Sequence, residues 1–177
     1  VGSRTFAERC RLLLLLTAQM LPVLACAAPP YTFAKPDFLG PPLESKTLMG
    51  ATYTYLPSTT AAAQLLMITM MPGADIRQRF GELSNVQCIN LFLAELKTTH
   101  ERFFVVAQKR PVRVGVQEFV QFRWTGDKNG KALTGILSCG ILGDAYVVVH
   151  FADELSQATH SFPSIRQSLK SLVLGGG

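Results

Sequence analysis

The stretch ALTGILSCGILGDAYVVVHFADE, residues 132–154, decides how this chain folds. It holds two apolar runs rich in Ile, Leu and Val, joined by Gly143-Asp144. Branched apolar side chains suit a pleated surface, and a Gly-Asp pair supplies the turn chemistry that reverses a chain between strands. The second run, AYVVVHFAD, is the most β-prone segment of the sequence. Just upstream, TGDKNGK (residues 125–131) puts Asn129-Gly130 where a tight hairpin needs positive φ angles. Residues 132–154 therefore read as two antiparallel strands preceded by a third.

That third strand shows period two. Val112, Val114, Val116, Val120, Phe122 and Trp124 alternate with Arg113, Gln117, Gln121 and Arg123. The pattern predicts one strand over 112–124 with a buried face and a wet face. Glu118 breaks the parity, which marks a bulge or a strand end.

Further back, Val86, Ile89, Phe92, Leu93 and Leu96 recur at helical spacing and predict a helix from Phe80 to about Arg102, with Cys88 at the edge of its apolar stripe. AQLLMITMM, residues 63–71, reads as a central buried strand stopped by Met71-Pro72-Gly73, its methionines filling core. TLMGATYTYL, residues 47–56, reads as another strand. Downstream, a helix is expected from Phe162-Pro163, with Ile165, Leu169, Leu172 and Val173 on its apolar side. The order strand, strand, helix, three strands, helix gives an α+β domain: a mostly antiparallel twisted sheet of about five to six strands with helices packed on it.

The N-terminal part has a different texture. Residues 28–42 hold five of the ten prolines and favour extended chain, while Tyr31, Phe33 and Phe38 predict that part of this arm packs on the domain. Before it, Arg4, Arg9 and Arg11 precede an apolar run from Leu12 to Leu24 and then Ala25-Cys26-Ala27-Ala28, the three parts of a secretory signal. The run is interrupted by Thr17, Gln19 and Pro22 and falls short of the roughly 20 apolar residues of a membrane span. Ordinary cleavage after Ala27 or Ala28 would discard Cys26, whereas Val23-Leu24-Ala25-Cys26 resembles a lipoprotein box that would make Cys26 the lipidated first residue. The Pro-rich tether favours lipid on Cys26. The expected organisation is a signal peptide over 1–25, a tether or N-terminal arm over 26–42, and one domain over 43–174.

Removing residues 1–25 takes three arginines and one glutamate and lowers the formal charge from +5 to +3. Arg77 with Arg79, and Lys109-Arg110 with Arg113, are too small as groups to make the basic face that nucleic acid requires. Cys88 and Cys139 are then the thiols left near the core, and export to an oxidising compartment would favour pairing them. Two separate buried thiols fit the sequence equally well, since free Cys behaves as a small hydrophobe.

The pieces PYTFAKPDF, the 132–154 meander and the closing SFPSIRQSLKSLVL together resemble the PsbP-like fold of small exported bacterial proteins and photosystem-associated lumenal proteins. The resemblance extends over residues 30–174. It implies a binding or accessory role and brings no catalytic residues with it.

The residues offer little chemistry of their own. His150, Asp153, Glu154 and His160 are the one grouping that could ligate a metal, but their spacing matches no zinc pattern. There is no Gly-x-Ser-x-Gly, and Ser138 and Cys139, as strand neighbours, should point to opposite faces. Gly135, Gly140 and Gly143 sit in strands and turns and make no phosphate loop. The expectation is an exported, periplasmic or membrane-anchored envelope protein without catalytic residue, metal or cofactor, binding an envelope protein or small ligand. The alternative is a hydrolase or metal-dependent enzyme with a dispersed site near His150, Asp153 and His160.

Overall fold

The computed structural model describes residues 29–47, 50–59 and 64–174. Cys26 and the signal-like segment lie outside them.

Seven strands form one antiparallel sheet in the order β2-β3-β4-β8-β7-β6-β5. They are β2 (Leu39–Thr47), β3 (Gly50–Pro57), β4 (Leu65–Pro72), β5 (Glu101–Val114), β6 (Gln117–Lys128), β7 (Lys131–Leu142) and β8 (Ala145–Glu154). A separate two-stranded ribbon pairs β1 (Tyr31–Thr32) with β9 (Val173–Leu174). Three helices complete the described fold: α1 (Gly73–Phe80), α2 (Asn85–Thr99) and α3 (Ala158–Leu169). The class is α+β, as the sequence predicts, with a larger sheet than the five to six strands expected.

The meander sits where its composition requires. β8 lies between β4 and β7, with both faces covered, and such strands read as near-continuous apolar runs. Val147, Val149 and Phe151 face a core layer with Phe162, Ile165 and Leu169 of α3. Tyr146, Val148 and Ala152 face the other layer, with Cys88, Ile89 and Leu93 of α2.

Two strands replace the single one read over 112–124. The chain reverses at Gly115-Val116, between β5 and β6. Gly115 takes φ 58° and its N–H donates to the Leu169 carbonyl at 2.9 Å. A Cβ there would sit 2.1 Å from the Leu172 carbonyl oxygen, so this turn accepts only glycine. The parity break at Glu118 marks a strand start.

The helix expected over 80–102 is shorter at both ends. Phe80 closes α1, and Gly81 breaks the path with φ 75°. Ser84 then opens α2 through a capping box: its Oγ accepts from Gln87 N–H at 3.2 Å and its own N–H donates to Gln87 Oε1 at 2.8 Å. At the far end β5 begins at Glu101. The last helix starts earlier than Phe162, at Ala158, and carries Pro163 inside it.

The Pro-rich arm packs on the domain from Tyr31 onward, as its aromatic residues predict. Tyr31 is 3% exposed, and its hydroxyl lies 3.0 Å from that of Tyr55. Pro41 and Pro42 fall within β2, which is an edge strand, where a missing backbone N–H is tolerated.

Candidate functional site

The sheet separates the residues that a catalytic reading would bring together. Along β8, side chains alternate between faces. His150 shares the α2 side with Val148 and Ala152, while Asp153 falls with Val149 and Phe151 on the α3 side. His160 belongs to the first turn of α3 and is exposed. Neither histidine serves a loop: His150 lies within β8, paired with Met67 and Leu137, and His160 lies within a helix. Asp153 is 1% exposed and its Oδ1 accepts from the Glu154 N–H at 2.7 Å, a local structural bond. Among the described residues, no group of three or more His, Cys, Asp or Glu could hold a metal ion.

On the α2 side His150 joins an aromatic cluster. Its ring lies 5.6 Å from that of Trp124, which lies 4.9 Å from that of His100. His100 Nδ1–H donates to the Leu96 carbonyl at 3.0 Å. His150 keeps some surface exposure, yet its Nε2 is buried without a hydrogen-bond partner, as is the Trp124 Nε1–H. Burial, then the nearby His100 and Lys128, push the His150 pKa down to about 4, and burial also holds His100 below its usual value. Both imidazoles are therefore neutral at pH 7.

Cys88 and Cys139 form a disulfide with Cα atoms 6.5 Å apart, within the range such a bridge needs. It ties the first turn of α2 to the middle of β7. Ser138, next to Cys139, faces the opposite layer and accepts from Gln121 Nε2 at 2.9 Å.

That glutamine leads to the cleft. A space of about 170 Å³ opens between β5, β6 and α3, lined by Val112, Arg113, Val114, Gln121, Arg166, Leu169 and Lys170. Valine and leucine side chains make its walls. Arg166 lies in the last turn of α3 and Lys170, four residues on, caps the helix with helical backbone angles, so both project from the same side. Arg113 reaches the cleft from the edge strand, and strand parity relative to Val112 and Val114 turns its side chain towards the other face. The cleft's charge therefore comes from Arg166 and Lys170. Gln121 was expected on a wet face, but the docking of α3 leaves it 9% exposed. Arg166 and Lys170 were not singled out in the sequence, although their i, i+4 spacing in SIRQSLK is readable there.

No protein-family model matches the chain, and no curated protein matches it. Solved structures do. LpqN of Mycobacterium tuberculosis, described as involved in cell envelope biogenesis, is similar with a TM-score of 0.55 and 15% identity over 99% of this chain and 100% of its own. PA94 of Pseudomonas aeruginosa, a protein of unknown function, is similar with a TM-score of 0.51 and 12% identity over 81% of this chain and 96% of its own. The Saccharomyces cerevisiae Ran-binding protein Mog1p follows with 0.46 and 10% identity over 84% and 87%. At these identities the first two likenesses speak for the α+β fold. Among the described residues, no helix is long and apolar enough to cross a membrane.

Proposed function

We propose that this chain is a non-catalytic protein of the bacterial cell envelope, exported by residues 1–25, held on the periplasmic side by lipid on Cys26, and acting as a binding or accessory domain. The observation that carries it is the division of His150 from Asp153 by the sheet. His150 and Asp153, two members of the group named for the enzymatic alternative, lie on opposite faces of the sheet, while an open cleft beside α3 offers a binding surface. A disulfide between α2 and β7 suits an oxidising compartment. The fold likeness to an envelope-biogenesis protein and the PsbP-like texture of the meander and closing helix support the same reading. Several acyl chains anchor stably where a single one binds membranes only marginally.

The test is the mass of the mature protein purified from a bacterial envelope. A start at Cys26 with acyl groups attached is expected, and an unmodified start at Ala28 or Pro29 would remove the anchor. Recovery of an unprocessed chain from the cytoplasm would remove the envelope reading altogether.

A further inference from the structure

We infer that the cleft between β5, β6 and α3 binds a phosphate group borne on a short apolar body, and that its carrier is a phospholipid headgroup. The choice of carrier, though not of phosphate, rests on the envelope reading above.

The size fits. About 170 Å³ is the space of five or six waters and lies below the roughly 300–1,000 Å³ of pockets for drug-sized ligands. A tetrahedral anion with its first carbons fills it. The charge fits as well. The ion pairs among the described residues are Lys46 with Glu44, Arg102 with Asp127 and Lys131 with Glu154, so neither Arg166 nor Lys170 has a carboxylate partner there. Lys170 Nζ meets only the neutral Gln167 Oε1, at 3.3 Å. An arginine fork and a lysine point charge one helical turn apart suit the several oxygens of a phosphate.

Gln121 supplies a neutral donor. A carboxamide has two N–H groups, and one of them is committed to Ser138 at 2.9 Å, which fixes the plane of the amide. Gln121 is itself among the residues that line the cleft. Both cations also complement the C-terminal end of the α3 dipole. That role accounts for their place in the helix but not for the open space beside them.

The carrier follows from position. The Ala34 N–H donates to Ser171 Oγ at 2.7 Å and Tyr31 pairs with Leu174, so the arm enters the domain beside the end of α3 that holds Lys170. Cys26 lies five residues before Tyr31. Five extended residues reach at most about 18 Å, so a lipid on Cys26 would hold this end of the domain near the headgroups.

The experiment titrates the mature chain with dihexanoyl-phosphatidylglycerol below its micelle concentration, and separately with inorganic phosphate, by calorimetry. Saturable one-to-one binding of the lipid is expected, weakened about tenfold or more by Arg166→Gln and by Lys170→Gln. Both side chains are exposed, and only variants with an unchanged melting temperature are scored. Inorganic phosphate binding as tightly, with the same residue dependence, would keep the phosphate site and overturn the headgroup. No binding of either probe, or binding indifferent to both variants, would overturn the site itself, whatever the mature mass says about the envelope.

Discussion

Gly135 lies flat beneath the indole of Trp124, so close that a Cβ on it would come within 2.4 Å of the ring. The two are partners across β6 and β7, and the ring uses the gap that a side chain would fill. Gly135→Ala should therefore displace a fully buried indole. Overpacking of this kind destabilises by about 1–3 kcal/mol. A fall in the urea midpoint with an unchanged slope, together with altered Trp124 fluorescence, is the expected result.

The disulfide closes a loop between positions 51 residues apart. Chain-entropy arguments give such a link a stabilisation of about 4 kcal/mol. Alkylation under denaturing, non-reducing conditions should label neither Cys88 nor Cys139. After reduction both should react, and the melting temperature should drop. Labelling of both without reductant would mean two separate thiols.

His150 makes stability depend on pH. Its folded pKa of about 4 lies below the ordinary 6.5, so the unfolded chain binds the proton more readily. The folded state is at full strength above about pH 6.5 and weakens as the pH falls towards 4, by up to roughly 3 kcal/mol over that window. Denaturant melts at pH 7 and pH 4.5 should differ accordingly. His150→Leu should reduce the difference, and an equal acid loss in that variant would assign it to other groups.

The N-terminal arm should matter to stability as a core element does. Tyr31→Phe removes one partner of the 3.0 Å hydroxyl pair with Tyr55 and should cost about 1 kcal/mol. Tyr31→Ala also removes a buried ring and should cost about 3–5 kcal/mol. Substitutions as mild as exposed ones, measured by thermal melts, would make the arm a mere tether.

Much of this fold was legible because local chemistry and burial agree. The 132–154 meander has turn residues before it and between its two apolar runs, which lie on strands in the middle of the sheet. Helix α2 showed its stripe, although its start lay in the Ser84–Gln87 capping box and not in the periodicity. The part of β5 before Val112 was illegible for a physical reason. It runs along the sheet edge with Phe104 65% exposed and Val105 and Val106 also exposed, so burial imposes no alternation there. The cleft was less legible still. Whether Gln121 is wet or buried is decided by α3, which lies some 40 residues later in the chain. The separation of His150 from Asp153 could have been read directly, since three residues along a strand change its face.

The β1–β9 ribbon gives the fold an order in time. Tyr31 pairs with Leu174, so among the first described residues to leave the ribosome is one whose backbone partner is among the last. β4, likewise, can join the sheet's centre only when β8 arrives some 80 residues later. Such non-local closures are slow, because the intervening loop must be ordered before any contact rewards it. An incomplete chain can thus form the hairpins from β5 to β7 but can neither unite the two halves of the sheet nor seat its own beginning. The native state therefore becomes available only after the chain has been made through Leu174, and until then the two halves of the sheet stay apart and Tyr31 lacks its strand partner.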